Sequence, residues 1–299
     1  MFDLLYHVAS LAAVFLALII GILVGVGISS GGFIRKSERS LLNRQIADLQ
    51  GRVDAATRRA NDLSHAQRAA QAFIQDSYPA LIEQRLKGKR VAIVFVGSAD
   101  DRARSLVEST LTDAGAPEPL RIRALKVPLD VPKIDAALAK RPALRRYVGD
   151  RKLLDLGRRL GQELVSGGDE PAWRALAAQL VELRSGADNP PADAVVVVRS
   201  ADPQRAGTAR FLRGFYAGLA GAHVPAVGVE TTGAPHSAVD AFANAGLSSV
   251  DDLDNLSGRL ALVLLLAGGR PGHYGVKQTA GDGIVPPVSD QALAPATSG

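Results

Sequence analysis

The sequence contains no cysteine, and its only methionine is Met1. Disulfide bonds, thiolate metal sites and cysteine nucleophiles are therefore excluded. A site for a soft metal ion built from Met and Cys side chains cannot form within one chain. Aromatic residues are scarce at 5%, and no basic block is interleaved with them, so nucleic acid is not an expected partner.

Motifs for nucleotide chemistry are also missing. Residues 97–101 (GSADD) follow the first predicted strand, where a phosphate site would show G-x-G-x-x-G and a helix N-terminus free of negative charge. Two aspartates occupy that place instead, and there is no G-K-[ST] loop. No set of residues points to an enzyme, and no cofactor is evident from the sequence.

The charge is mildly positive, at +5 with a pI of about 9.6. Lys and Arg are spread along the chain, with local pairs at 145–146 and 158–159. A weak positive field of this kind favours an anionic surface as partner, such as lipid headgroups or an acidic wall polymer.

An uncharged apolar run occupies residues 8–28. At 1.5 Å per residue it spans about 31 Å, the thickness of the hydrocarbon core of a membrane. A core helix would show a polar face, and a signal peptide would have a basic start and a shorter run. The sequence therefore predicts an uncleaved transmembrane anchor with a Ser-Gly hinge, together residues 1–32.

A heptad pattern follows the hinge. Apolar or small residues recur in steps of four and three, with β-branched residues at a and leucine at d, which favours a parallel dimer. The alternative is one long helix packed on its own domain, because the alanines at 56, 60 and 70 weaken the seam. We predict a homodimeric coiled coil over 33–78, ending near Pro79. The predicted dimer seam consists of Leu42, Ile46, Leu49, Val53 and Leu63.

Residues 87–275 predict an α/β domain with a Rossmann-like or flavodoxin-like parallel sheet, because apolar strands alternate with helical segments. The last apolar run, 259–267, is bounded by glycines at strand length, which favours a strand over a buried helix. Residues 276–299 are rich in Pro, Gly and Ala and are expected to be a disordered tail. The predicted strands are 90–96, 120–127, 193–198, 224–230 and 259–267, and the helices are 102–114, most of 131–184, 204–220 and 236–245.

Candidate ligands for a metal ion are few. Asp251, Asp252 and Asp254 form an acidic cluster that suits a hard cation, or that caps and terminates elements on the surface. His273 lies in a Gly-rich turn beyond the last predicted strand, where it contacts a ligand or simply belongs to the turn. None of the five histidines has a partner at i+3 or i+4, the usual spacing on a helix.

Three segments resemble the mycobacterial copper transport protein B family. They are the opening apolar segment at 7–27, the segment SSVDDLD at 248–254 followed by Gly258-Arg259, and the segment GHYG at 272–275. The resemblance implies a single-pass protein of the cell envelope whose bulk is extracytoplasmic, with a role in copper transport and homeostasis. The family label also implies the outer membrane. Copper is implied by this resemblance alone.

Two questions stay open. Positive charges at Arg35, Lys36, Arg39 and Arg44 follow the anchor, and the positive-inside rule would place that side in the cytoplasm, against the resemblance. The function is either that of the family or that of a non-enzymatic, dimeric coiled-coil scaffold. Such a scaffold would have an envelope protein as partner and would recruit or activate cell-wall (peptidoglycan) enzymes.

Overall fold

The computed structural model describes residues 3–28, 34–199 and 201–288. It divides into two compact units, Met1–Ala70 and Gln71–Gly299. The first unit holds helix α1 (Asp3–Ile28) and most of helix α2 (Ile34–Ile82). The predicted hinge at 29–32 lies outside the described residues.

Helix α2 is 49 residues long, or about 74 Å at 1.5 Å per residue. Pro79 lies inside it, so the prediction that the helix ends there is wrong. A proline inside a helix costs about 3 kcal/mol. Here Tyr78 and Ile82 bury their side chains in the core of the second unit, which offsets that cost.

The second unit is built on a seven-stranded sheet in the order β3-β2-β1-β4-β5-β6-β7. All neighbours are parallel except β2 and β3, which are antiparallel. The strand numbers increase outward in both directions from the central pair, β1 and β4. The strands are β1 (Val91–Val96), β2 (Arg121–Leu125), β3 (Val181–Gly186), β4 (Ala194–Arg199), β5 (Ala226–Val229), β6 (Ser248–Val250) and β7 (His273–Tyr274).

Helices cover both faces of this sheet. Ala92, Val94 and Val96 of β1 point into one core, while Val91 and Ile93 point into the other. Burial on both faces explains why the strands read as continuous apolar runs. The helices are α3 (Asp101–Asp113), α4 (Val131–Ala139), α5 (Leu153–Ser166), α6 (Pro171–Leu180), α7 (Ala206–Ala220), α8 (Val239–Ala243) and α9 (Leu256–Leu266), with 3-10 helices at Pro142–Tyr147 and Asp150–Lys152.

Four predicted strands are confirmed as β1, β2, β4 and β5, but the fifth is wrong. The run at 259–267 forms helix α9, in which Leu260 to Leu266 are all buried. A helix buried on every side carries no polar face, so its sequence looks like a buried strand. Its leucines favour a helix, whereas the true strands are rich in valine.

The three strands that the sequence did not indicate are β3, β6 and β7. Strand β3 is mostly exposed and begins within the segment predicted to be mostly helical, 131–184. Strands β6 and β7 have three and two residues, too few to show a periodic pattern.

Helices α5 and α7 touch backbone to backbone. A Cβ atom added at Gly157 would overlap the carbonyl oxygen of Phe211, and one added at Gly214 would overlap that of Leu154. Gly161 and Gly218 continue the same contact one turn on. Because these glycines have no Cβ atom, the backbone of α5 packs directly against that of α7.

The globular unit extends beyond Gly275, where the sequence placed the start of a disordered tail. The amide of Val276 donates to Asp251 at 2.9 Å, and the Lys277 ammonium donates to Glu230 at 2.8 Å. Val285 packs against the core on the α9 side of the sheet. The described part of that predicted tail, 276–288, therefore belongs to the domain, and 289–299 lie outside the described residues.

Candidate functional site

The N-terminal helix is long and apolar enough to cross a membrane. Its segment His7–Gly25 has 19 residues with a mean hydropathy of 2.8. None of that segment is buried by protein, and Leu23 is 68% exposed. An apolar surface of this size is stable in lipid rather than in water, which fits association with a membrane.

The predicted seam on α2 forms an exposed apolar stripe. Leu49 is 57% exposed and Val53 61% exposed, although both are large aliphatic residues. The other three seam residues are at least half exposed as well: Leu42, Ile46 and Leu63. Contiguous exposed apolar surface of this kind commonly marks an interaction site.

Two of the predicted acidic ligands are buried just after β6, not on the surface. Asp251 accepts hydrogen bonds from the amides of Val276 and Lys277, at 2.9 and 3.3 Å. Asp252 accepts one from the Ser257 hydroxyl at 2.8 Å, while its Oδ1 has no partner among the described residues. Sequence reasoning missed this burial because it did not foresee β7 and the segment behind it.

Burial and hydrogen bonds shift the pKa values of Asp252 and Asp254 in opposite directions. Burial raises the pKa of Asp252, and the nearby charges of Asp251 and Asp254 act in the same direction, against hydrogen bonds from Ser257 and Asn255. Burial would also raise the pKa of Asp254, but hydrogen bonds from Thr232 outweigh it and hold that pKa below its ordinary value. The three carboxyl groups therefore have separate partners and separate environments.

His273 lies on the outermost strand, where its Nδ1 is 3.0 Å from the Ser249 hydroxyl. The predicted turn is thus partly the short strand β7, which pairs with β6. Throughout residues 3–28, 34–199 and 201–288, no group of three or more His, Cys, Asp or Glu side chains is placed to hold a metal ion. Asp251, Asp252, Asp254 and His273 do not form such a group.

A cavity of about 300 Å³ opens at the carboxyl ends of β1 and β4, where the strand order changes direction. Ligands of open α/β sheets bind at such points. Arg199 and Tyr216 line it, and behind it the buried Glu230 lies 3.4 Å from the Arg199 guanidinium and 2.8 Å from Lys277 Nζ. Sequence reasoning missed these groups, although Arg199 and Glu230 each directly end an apolar strand.

A second buried ionic cluster was also missed. Arg121 and Arg123 alternate along β2, so both point to the same face, and both side chains are fully buried. Arg121 pairs with Glu170 and Arg123 with Asp188. The cluster ties β2 to the segments around α6 and β3, and the alternating arginines in the sequence RIRAL were the available signal.

Comparison with known proteins places this geometry in context. The chain matches the family model described as "Copper transport outer membrane protein, MctB" over residues 1–285. Proteins named "Copper transporter MctB" from Mycobacterium tuberculosis and Mycobacterium bovis are 31% identical to it over 320 aligned positions. These alignments cover 92% of this chain and 96% of each relative.

Proposed function

Because the chain belongs to the MctB family of copper transport outer membrane proteins, we propose that it takes part in copper transport and homeostasis as a membrane-anchored protein of the cell envelope. The observation that carries the proposal is the extent of the match. It spans residues 1–285 and so includes the apolar helix, the long helix and the sheet domain together.

Copper is the cargo in this proposal and not a resident cofactor. The chain has no cysteine and only one methionine, the residue types that bind Cu(I) best. The described residues also offer no group of three or more ligands. They do not fit a bound copper ion, so the proposed part is structural and no copper-ligating step is assigned to them.

Deletion of the gene tests this role. We expect cells without the protein to differ from the parent strain several-fold in cell-associated copper, measured by mass spectrometry after growth in micromolar copper. The full chain should restore the parent level. A version that replaces residues 1–28 with a cleaved secretion signal should not, if the anchor is needed. Unchanged copper content in the deletion strain would refute the role.

We propose that α1 is a single-pass anchor and that the rest of the chain is extracytoplasmic. The exposed apolar surface of His7–Gly25 supports the anchor, and the family description supports the orientation. The charges after the anchor favour the opposite one. Reporter fusions after Ile82 and at the C-terminus test it, with an enzyme active only outside the cytoplasm and a fluorescent protein active only inside. Fluorescence without enzyme activity would overturn the proposal.

The proposed fold class is Rossmann-like. The order 3-2-1-4-5-6 is that of doubly wound dinucleotide-binding sheets. The antiparallel β3 and the added β7 are departures from that pattern. An experimental structure of the domain, compared strand by strand, tests the assignment.

A second candidate function is a dimeric scaffold for cell-wall enzymes. The exposed heptad stripe on α2 favours it, because a parallel partner helix would cover those side chains. The double variant Leu49→Glu/Val53→Glu should abolish both the dimer and the co-purification of peptidoglycan hydrolases. The matched variant Arg44→Gln/Arg58→Gln lies at f positions on the face opposite the stripe, changes the charge by the same two units, and should keep both. Hydrolase binding that survives loss of the dimer would contradict this scaffold.

A further inference from the structure

The positive charge of the chain is concentrated in one short stretch. Residues 140–159 contain eight Lys or Arg and two Asp, a net charge of +6, against +5 for the whole chain. The other 279 residues therefore carry a net charge of −1. Besides those two aspartates, Glu163 pairs with Arg159 from just outside the stretch, and a net positive excess remains.

The fold gathers part of this stretch around one recess. The second 3-10 helix and the first turns of α5 meet the end of the first 3-10 helix, around a volume of about 400 Å³ that we call the basic recess. Four cationic side chains line it against the single carboxylate of Asp155. These cations are Arg146, Lys152, Arg158 and Arg159.

Two of the three guanidinium groups are held in place from the protein interior. Arg146 lies over the ring of the buried Tyr147, 4.9 Å from its centroid. The Nε of Arg159 donates to Glu163 at 2.7 Å, and Glu163 is itself fixed by the amide of Ala172 at 3.1 Å. Their positions are therefore largely set before any ligand arrives, which lowers the entropic cost of binding.

The cationic side chains of the recess have few carboxylate partners. Asp155 pairs with Lys152 at 3.5 Å. Within the described part of the chain, Arg146 and Arg158 have no carboxylate partner, and Arg159 uses only its Nε. Free guanidinium forks match the oxygen pairs of phosphate groups.

We propose that the basic recess binds a soluble polyanion through its phosphate groups. The polar, cationic lining of the recess favours such a ligand over a bilayer. A helix that docks on a bilayer inserts several large apolar residues. Among the large apolar side chains of residues 140–163, only that of Val148 is substantially exposed, at 37%. This inference is independent of the proposed copper role.

Calorimetry with sodium tripolyphosphate tests the proposal, using the full chain in zwitterionic detergent at low salt. The wild type should bind, and the affinity should fall steeply as NaCl is raised. Arg146→Gln/Arg158→Gln should weaken binding about tenfold or more, as expected for two lost charge-assisted hydrogen bonds. The control Arg102→Gln/Arg270→Gln removes the same charge from exposed positions elsewhere and should change the affinity less than twofold.

Further variants separate specific binding from a general positive field. Arg146→Lys/Arg158→Lys keeps the charge but removes the forks, and should still bind at least threefold more weakly than the wild type. If the Gln pair at the recess unfolds the protein, Lys152→Gln at a half-exposed position replaces it. Equal losses in the recess and control variants would overturn the proposal. So would binding to vesicles with 30% anionic phospholipid but not to tripolyphosphate, which would indicate a membrane patch instead.

Discussion

The two units of the molecule treat the same residue types in opposite ways. In the second unit, Leu156 and the valines of β4 are almost fully buried between helices and sheet. In the first unit, Leu49 is 57% exposed and Leu23 68% exposed. Burying one such side chain stabilises a protein by about 1.5–3 kcal/mol, so this exposure leaves a large favourable contribution unused.

The difference shows where each unit obtains its stability. The second unit satisfies its apolar side chains internally and has a core on each face of the sheet. The first unit does not bury its apolar side chains internally. Lipid would cover those of α1, and a second helix would cover those of α2 in the proposed dimer. Experiments that alter one unit should therefore leave the other unchanged.

The largest contrast is expected from cross-linking of the seam. The chain has no cysteine, so Leu49→Cys introduces a single thiol at a proposed d position. Mild oxidation in membranes should convert most of the protein to a covalent dimer on a denaturing gel. Arg58→Cys, on the opposite face of the heptad, should stay mainly monomeric. Equal dimer yields from the two variants would remove the case for a specific seam.

The next largest effect is expected at the contact between α5 and α7. Gly214→Ala adds a Cβ that overlaps the backbone of Leu154, so we expect a loss of about 3 kcal/mol or more in the free energy of unfolding. The fluorescence of Trp173, the only tryptophan, reports domain unfolding in denaturant. Gly233→Ala meets nothing within 4 Å and serves as the control. A stable Gly214→Ala domain would disprove the backbone contact.

A pair of identical substitutions compares the units directly. Leu156→Ala should lower the free energy of unfolding of the domain by roughly 3 kcal/mol, because it leaves a cavity in the core. Leu49→Ala should leave that transition unchanged and weaken only the dimer. The same Trp173 signal measures both variants. A comparable loss in Leu49→Ala would mean that the two units unfold together.

The smallest effect is expected at the ion pair that joins β1 to β4. Arg90 donates to Asp193 from its Nε at 2.9 Å and its backbone amide at 2.8 Å, and the side-chain hydrogen bond holds the pKa of Asp193 below its ordinary value. Both side chains are over one-third exposed, so Asp193→Asn should cost only about 1 kcal/mol near neutral pH.

The sign of the pH dependence at Asp193 follows from that lowered pKa. The stabilisation is complete above the unfolded pKa of about 3.9 and is lost as the pH falls through the lower folded pKa. Denaturation curves of wild type and variant should therefore converge in acid. A difference that persists unchanged at pH 2 would show that charge is not its source.

Sequence patterns located the elements whose residues carry a strong local signal. The valine-rich strands β1 and β4 are buried on both faces, so their composition alone predicted them. Helix α9 is buried on all sides and was mistaken for a strand, because burial removes the polar face that marks a helix. Strands β6 and β7 depend on partners far apart in sequence, which no local pattern reveals.

For the candidate sites too, local patterns were visible in the sequence, whereas contacts between distant residues were not. The acidic cluster after β6 was visible, but the contacts of the buried Asp251 come from a segment that arrives 25 residues later. The pairs at 145–146 and 158–159 were also visible as separate basic clusters. Only the fold shows that one member of the first and both of the second share a recess.

The link from Lys277 to Glu230 and from Val276 to Asp251 sets a lower limit on how short the domain can be made. A chain that ends at Gly275 would leave two buried carboxylates, those of Asp251 and Glu230, without the amide and ammonium groups that balance them. Such a protein would have to take up protons, admit water or open its last two strands. A fragment designed for crystallography should therefore keep the sequence to at least Val288, the last described residue.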